Sequence, residues 1–442
     1  MKSFRRIALA AAVGAALGAH ATDGYFSHGY GMQSKGMGGA ATAVAESAFG
    51  AASNPATMVF AGDRMEIGID LFSPHRKATR SGSPPGVGLD ATSESDSNYF
   101  GIPELAFNRM ASPNMSWGVT IYGNGGMNTN YPGGEIPGQS ACANFNPVQS
   151  SYNMLCGSGR LGVDLMQLIV APSVAWQFAP GHSVGIAPLL AYQRFRAEGV
   201  QAFDNPGFST SAGNVTNRGY ENSTGAGARI GYYGRLSPGV AIGAAYATKV
   251  SMGEFDKYKG LFAGQGGFDM PSHWSAAVAF DLMPGTMLTG EYERINYSDA
   301  RSVSNTSLLV LNCFGGDRSA CLGGSNGAGF GWRNVDIWKL GVQWQASPTL
   351  TLRAGYNHSD NPIAPADVTF NILAPGVVQH HATLGATWKL DNVSAVTTAF
   401  MYAFSNDVQG ASLFNNFAPG LALQEKIQMY EYSIGVQYSR RF

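Results

Sequence analysis

After Ala21 the chain has no apolar run long enough for a helix to cross a membrane, which takes about 20 consecutive apolar residues. Charge is also scarce. Asp, Glu, Lys and Arg make up 13% of the 442 residues, where an ordinary soluble domain has about 25%. The signs nearly cancel, with 28 Lys and Arg against 29 Asp and Glu, so nothing marks a nucleic-acid partner. Cysteine is limited to four residues, none in the CxxC spacing of zinc or redox sites. No linker or charge block divides the chain, and one large unit is expected. The GxxxxGK[ST] order of a phosphate loop is missing, and adjacent His380 and His381 would point to opposite faces of a strand. No Ser, His and acid order reads as catalytic. No cofactor, metal or enzymatic role is therefore expected.

What is present begins with Lys2, Arg5 and Arg6, an apolar run from Ile7 to Leu17, and Ala19-His20-Ala21. This is the order of a secretory signal peptide over residues 1–21, cleaved before Thr22. An exported chain favours disulfides, and the cysteines form two local pairs, Cys142 with Cys156 and Cys313 with Cys321, assigned as loop-closing bridges.

From about residue 63 to the end, apolar and polar residues alternate. In the last stretch Tyr430, Tyr432, Ile434, Val436, Tyr438 and Phe442 share one face, and Glu431, Ser433, Gly435, Gln437, Ser439 and Arg441 the other. The same grammar sets Trp338, Leu340, Val342 and Trp344 against Lys339, Gly341, Gln343 and Gln345. A soluble sandwich shares this alternation, but runs of ten or more residues suit tilted membrane strands. Six short turns, such as Pro180-Gly181-His182 and Met283-Pro284-Gly285, alternate with seven long connections, expected near 73–97, 127–162, 198–221, 255–270, 299–332, 361–375 and 408–425. The expected fold is all-β: a fourteen-stranded antiparallel transmembrane barrel with both ends on the periplasmic side, in the outer membrane of a Gram-negative bacterium. Outer-membrane lipids and lipopolysaccharide would surround it, and a monomer is expected. Residues 22–62 break the pattern. They are rich in Gly and Ala and suit a compact plug in a lumen that fourteen strands would otherwise leave open, with a disordered leader as the competing reading.

Thr22-Asp23-Gly24-Tyr25-Phe26, Gly36-Met37-Gly38-Gly39-Ala40 and Ala52-Ser53-Asn54-Pro55-Ala56, placed after a signal peptide and before this strand pattern with a terminal Phe, carry a resemblance to the FadL family of outer-membrane transporters. That family carries long-chain fatty acids and, in some branches, aromatic hydrocarbons. The resemblance implies an amino-terminal hatch, a hydrophobic ligand route from the outer loops to a pocket near the hatch, and a kinked third strand through which ligand leaves sideways. Long-chain fatty acids are the expected substrate, with aromatic hydrocarbons or a lipid-acting enzyme as alternatives. On these positions Tyr25, Phe26, Asn54, Pro55 and Ala56 are the expected hatch and ligand residues. Gly123, Asn124, Gly125 and Gly126 would form the lateral gate at the end of a strand over 116–126, where the competing reading is an ordinary frayed end. Phe442 resembles the signal read by barrel-assembly machinery, although Arg440 replaces the aromatic often found two positions earlier.

By the alternation, Arg229, Lys339, Arg353 and Lys389 face inward, with Glu66, Asp70, Glu104, Glu291 and Glu293. Arg229, Lys339 or Arg353 is a partner for a fatty-acid carboxylate, unless these charges pair with one another or with the plug. Loop residues such as Leu261, Phe262, Phe268, Phe370, Leu373, Phe414 and Phe417 suit either ligand capture or loop packing. Pro172 and Pro188, inside strands, should each bulge or bend the sheet.

Overall fold

The computed structural model describes residues 23–147 and 149–442; the expected signal peptide lies outside them. Fourteen antiparallel strands close into a barrel: β1 Arg64–Ser81, β2 Phe100–Ser112, β3 Met115–Asn128, β4 Gly162–Ala179, β5 His182–Glu198, β6 Glu221–Ser237, β7 Val240–Ala247, β8 His273–Met283, β9 Thr286–Ile295, β10 Val335–Ser347, β11 Leu350–Ser359, β12 His380–Lys389, β13 Ser394–Ala411 and β14 Gln424–Arg441. Each strand pairs with its sequence neighbours, and β14 closes the ring on β1 from Arg64↔Arg441 to Ser81↔Gln424. No described helix is long and apolar enough to span a membrane, so the crossing is made by strands.

The period-two pattern fixes which face meets lipid. Trp338, Leu340, Leu384 and Ile434 are each more than half exposed on the outside. Lys339, Arg353, His381 and Glu431, at positions of the opposite parity on their strands, are buried inside. The six short turns fall where the sequence puts them. Four boundaries differ. β7 ends at Ala247, short of the expected 255. β1 continues past Ser73 to Ser81 and β13 past Val408 to Ala411. Beyond Ser73, β1 carries polar residues on both faces, His75, Lys77 and Thr79 against Arg76 and Arg80, so the alternation fades, yet the ladder continues, with Arg80 bound to Glu425 across it. β3 continues through its glycines to Asn128, still paired with β4, so 123–126 is the interior of a strand and not its frayed end. At Pro172 and Pro188 the β4–β5 ladder is interrupted between Val170↔Leu190 and Val174↔Ile186 without a register shift; missing N–H donors open the ladder there and produce no bulge.

Residues 23–62, hereafter the hatch, bond to inward side chains all around the ring, so they lie inside it. Gly31 N donates to Glu104, Met32 N to Gln437, Gly38 N to Thr383, Ala41 and Thr42 N to Glu291, and Ala48 N to Glu66. Short irregular helices leave many backbone amides without internal partners, and the wall carboxylates supply acceptors of the charge-assisted kind. Of residues 23–62 only Glu46 is exposed.

Candidate functional site

The hatch touches the wall where the wall has no side chains. A Cβ on Gly355 would sit 2.1 Å from Gly38 N, one on Gly243 2.0 Å from Thr42 O, and one on Gly185 2.5 Å from Ala56 N. These inward glycines are the footprint of the hatch, since real Cβ atoms never approach so closely. The Asn54-Pro55-Ala56 motif belongs to this seating. Asn54 Nδ2 donates to Thr42 O and Tyr232 O, Asn54 Oδ1 accepts from Ala56 N, and Ser183 donates to Ala56 O. The motif binds hatch to wall at β5 and β6 and lines none of the cavities described below.

The gap in the wall is at β3. β2 and β3 pair from Ser112↔Met115 only as far as Leu105↔Ile121. Beyond that point Phe100–Glu104 of β2 stays on β1, and β3 stays on β4 with a register shift between Gly123 and Gly125 that leaves Asn124 as the extra residue. Pro103 lies in the bare stretch of β2, where a residue without N–H costs no ladder bond. The hatch takes the vacated place beside β3: Ser27 N donates to Asn124 O, Gly126 N to Tyr25 O, and Phe26 bridges to Gly125. A crevice of about 10 Å³ remains between Gly101, Pro103, Gly123 and Leu168. Of the four expected gate residues, three make the backbone contacts with the hatch and Gly123 borders the crevice. Pro103 was the signal that sequence reasoning passed over.

Rings connect this gap to the outer loops. Phe262 lies 4.9 Å from Phe268, Phe268 6.3 Å from Tyr25, and Tyr25 5.2 Å from Phe26, centroid to centroid. Tyr297 and Trp332 flank Tyr25 at 5.3 and 5.9 Å. Their polar ends are tied off: Tyr297 OH donates to Asp23 O and accepts from Tyr25 N, and Trp332 Nε1 donates to Asn371. At the outer end of this row an apolar pocket is formed by Leu155, Phe195, Phe262, Leu322, Phe330 and Phe370, among others. Its free volume is about 30 Å³, enough for a water or two and well below the roughly 150 Å³ of a cavity known to take benzene. Disulfides join Cys142 to Cys156 and Cys313 to Cys321, and their neighbours Leu155 and Leu322 are pocket walls. The loop apolar residues thus do both things the sequence left open: most are buried against one another, and several line the pocket.

The three expected carboxylate partners are not equivalent. Lys339 is already neutralised, 2.6 Å from Glu293 and 3.6 Å from Glu291. Arg229 donates to Ala51 O and Tyr122 OH and meets His273 at 3.1 Å; His273 packs edge-on against Phe26 at 5.3 Å. Arg353 lies on the periplasmic side of the Gly355 seat, bound to Gln343 and Thr387, away from the row of rings. His380 does not face His381, but it meets His358 on β11 across the outer surface at 3.3 Å between Nδ1 atoms. Phe442 stacks near Phe107 with Arg109 over its ring.

Among solved structures, the toluene transporter TodX of Pseudomonas putida is similar at a TM-score of 0.67 with 18% identity, covering 94% of this chain and 99% of that one. The toluene transporter TbuX of Ralstonia pickettii follows at 0.61 and 15%, covering 94% and 99%. A FadL homologue of Pseudomonas aeruginosa gives 0.66 and 13%, covering 95% and 100%. No curated protein sequence matches the chain significantly. The family model for outer membrane protein transport protein (OMPP1/FadL/TodX) matches residues 9–442, and with a closed fourteen-strand barrel around a seated hatch, the chain belongs to that family of outer-membrane transporters of hydrophobic compounds.

Proposed function

We propose that this chain is a passive channel for small hydrophobic molecules, monoaromatic hydrocarbons foremost, which enter at the loop pocket, follow the row of rings, and leave sideways between β2 and β3. The observation that carries this reading is the unbroken succession Phe262, Phe268, Tyr25, Phe26, Gly125 from pocket to gap. Aromatic faces and edges suit a flat apolar ligand, and pairs of this kind add about 0.5–1.5 kcal/mol beyond buried area. No energy input is involved; the ligand moves down its gradient, shielded from the polar lipopolysaccharide leaflet. Two of the similar structures are named toluene transporters, but at their identities they support the fold, so the substrate rests on the rings. Arg229 favours a second reading. It is a buried cation beside the inner end of the row, with no carboxylate in ion-pair range among the described residues, and a long-chain fatty acid could place its head group there. Uptake of labelled toluene and of labelled oleate into cells with and without the chain decides between them. Toluene uptake that Phe26→Ala alters and Arg229→Gln spares supports the first reading. Oleate uptake abolished by Arg229→Gln supports the second, and uptake of neither refutes both.

A further inference from the structure

Below the hatch the lumen opens into a polar chamber of about 680 Å³, lined by inward residues of β1 and β10–β14 and roofed by Gln33, Ala45 and Glu46. It lies at the periplasmic end, on the far side of the hatch from the rings, and the channel reading above gives it no task. Its charge is uneven. Arg64, Arg353, Lys389 and Arg441 line it against Glu46 and Asp391. Glu66 pairs with Arg64 at 3.3 Å, and Asp391 accepts the backbone N–H groups of Val393 and Ser394 in its own turn. Arg353, Lys389 and Arg441 have no carboxylate within 4.0 Å among the described residues.

Arg353 is the informative member. It is 6% exposed, yet its partners are neutral: Nε donates to Gln343 Oε1 at 2.7 Å and Nη1 to Thr387 Oγ1 at 2.6 Å. A buried guanidinium bound directly only to neutral acceptors, with the Glu46 and Glu66 carboxylates acting on it from beyond ion-pair distance, retains part of its cost of leaving water, and an anion in direct contact offsets it. Lys389 on β12 and Arg441 on β14 flank the same space, and low-dielectric walls focus their field into it. The same contacts connect the chamber to the hatch, because Gln343, which accepts from Arg353, donates to Glu46 Oε2 at 2.9 Å.

We propose that this chamber is a binding site for a small oxyanion, a carboxylate or phosphate entering from the periplasm, held by Arg353 with Lys389 and Arg441 and opposed by Glu46. Calorimetric titration of the purified full barrel in detergent, with benzoate and with inorganic phosphate, tests it. At least one of the two should bind, and affinity should fall as salt rises. It should drop about tenfold in Arg353→Gln, the effect of losing a charge-assisted hydrogen bond. Lys389→Gln alters an exposed side chain that leaves the fold intact, and should weaken binding as well. Glu46→Gln removes the opposing charge and should tighten it. Benzoate binding alone identifies the carboxylate form, and phosphate binding alone the inorganic one. No binding of either probe overturns the proposal, and so does binding that Lys389→Gln and Glu46→Gln leave unchanged.

Discussion

Among the described residues, Lys35 makes the ion pairs that join hatch to wall. Its Nζ lies 2.9 Å from Asp70 on β1 and 2.5 Å from Glu104 on β2, and all three side chains are at most 3% exposed. Burial works against the ammonium, but the two carboxylates outweigh it and hold its pKa above the ordinary lysine value. Lys35→Met leaves two carboxylates buried without their cation. Breaking a buried pair from one side costs about 3–5 kcal/mol, and at 1.4 kcal/mol per decade the equilibrium between seated and unseated hatch shifts by roughly a hundred- to a few thousand-fold. β2 is also the strand that borders the gap, so the loosened hatch should release that edge of the wall. Planar-bilayer recording of the purified protein should show frequent open events where the wild type is closed, and residues 23–62 should become accessible to protease. The barrel itself should retain its compact mobility on unheated gels. Because replacing every member of a buried ionic cluster with neutral groups is often close to neutral, Lys35→Met/Asp70→Asn/Glu104→Gln should close the channel again. A single variant as closed and as protease-resistant as wild type would refute the reasoning.

The seat at β3 should be as sensitive to volume. A Cβ on Gly125 would lie 1.8 Å from Tyr25 O, so Gly125→Val should push the hatch edge off β3 and alter toluene uptake while the barrel folds; uptake equal to wild type counts against the gate. Burial pushes the Asp23 carboxyl from 3.8 up to about 7. The seated hatch then holds a proton that the unseated one loses between those values, and seating should weaken as pH rises from about 4 to 7. Protease protection of the hatch measured across that window should slope in wild type and be flat in Asp23→Asn; parallel profiles would dismiss the assignment. Removing the bridge next to a pocket wall, as in Cys142→Ser/Cys156→Ser, should loosen Leu155 and lower apparent affinity for hydrophobic ligand several-fold without abolishing transport, read by equilibrium binding of labelled toluene. Unchanged affinity would separate the loop from the pocket.

Much of this was legible because a barrel strand in a bilayer has a strict division of labour. Trp338, Leu340 and Trp344 can face only lipid, so Lys339, Gly341 and Gln343 face in, and the strand count follows from turn chemistry at sites such as Pro180-Gly181. Sequence could also say that inward acids exist, but not what they hold. Glu104 and Glu291 read as generic lumen charge until the backbone amides of Gly31, Ala41 and Thr42 are seen donating to them, and backbone donors leave no trace in side-chain pattern. The inward glycines, like Pro103, were a signal left unread. Gly185, Gly243 and Gly355 leave no Cβ where the hatch backbone lies against the wall, an absence that traces a second layer of backbone. The loop pocket was out of reach because Leu155, Phe262, Phe330 and Phe370 come from four separate connections with no period between them.

The resting structure is closed at both ends of the proposed route, with about 30 Å³ free at the pocket and about 10 Å³ at the gap, so transport depends on which element yields. The wall cannot yield cheaply, since β3 stays laddered to β4 through Asn128↔Asp164. The hatch edge is held to β3 by two backbone hydrogen bonds, Ser27 N to Asn124 O and Gly126 N to Tyr25 O, and on its other side by Tyr297 OH, which accepts from Tyr25 N and donates to Asp23 O; each is worth about 0.5–1.5 kcal/mol in net terms. Burying one aromatic ring contributes about 1.5–3 kcal/mol. The two bonds at β3 are together of the same size, so on the proposed route a ring arriving beside Tyr25 would displace the β3 contacts while the Tyr297 bonds hold the other side, and the edge would return once the ligand has left. On the proposed route the β3-facing edge at residues 25–27 would be the part that moves, while the charged anchors at Lys35 and Glu291 hold the remainder of the hatch.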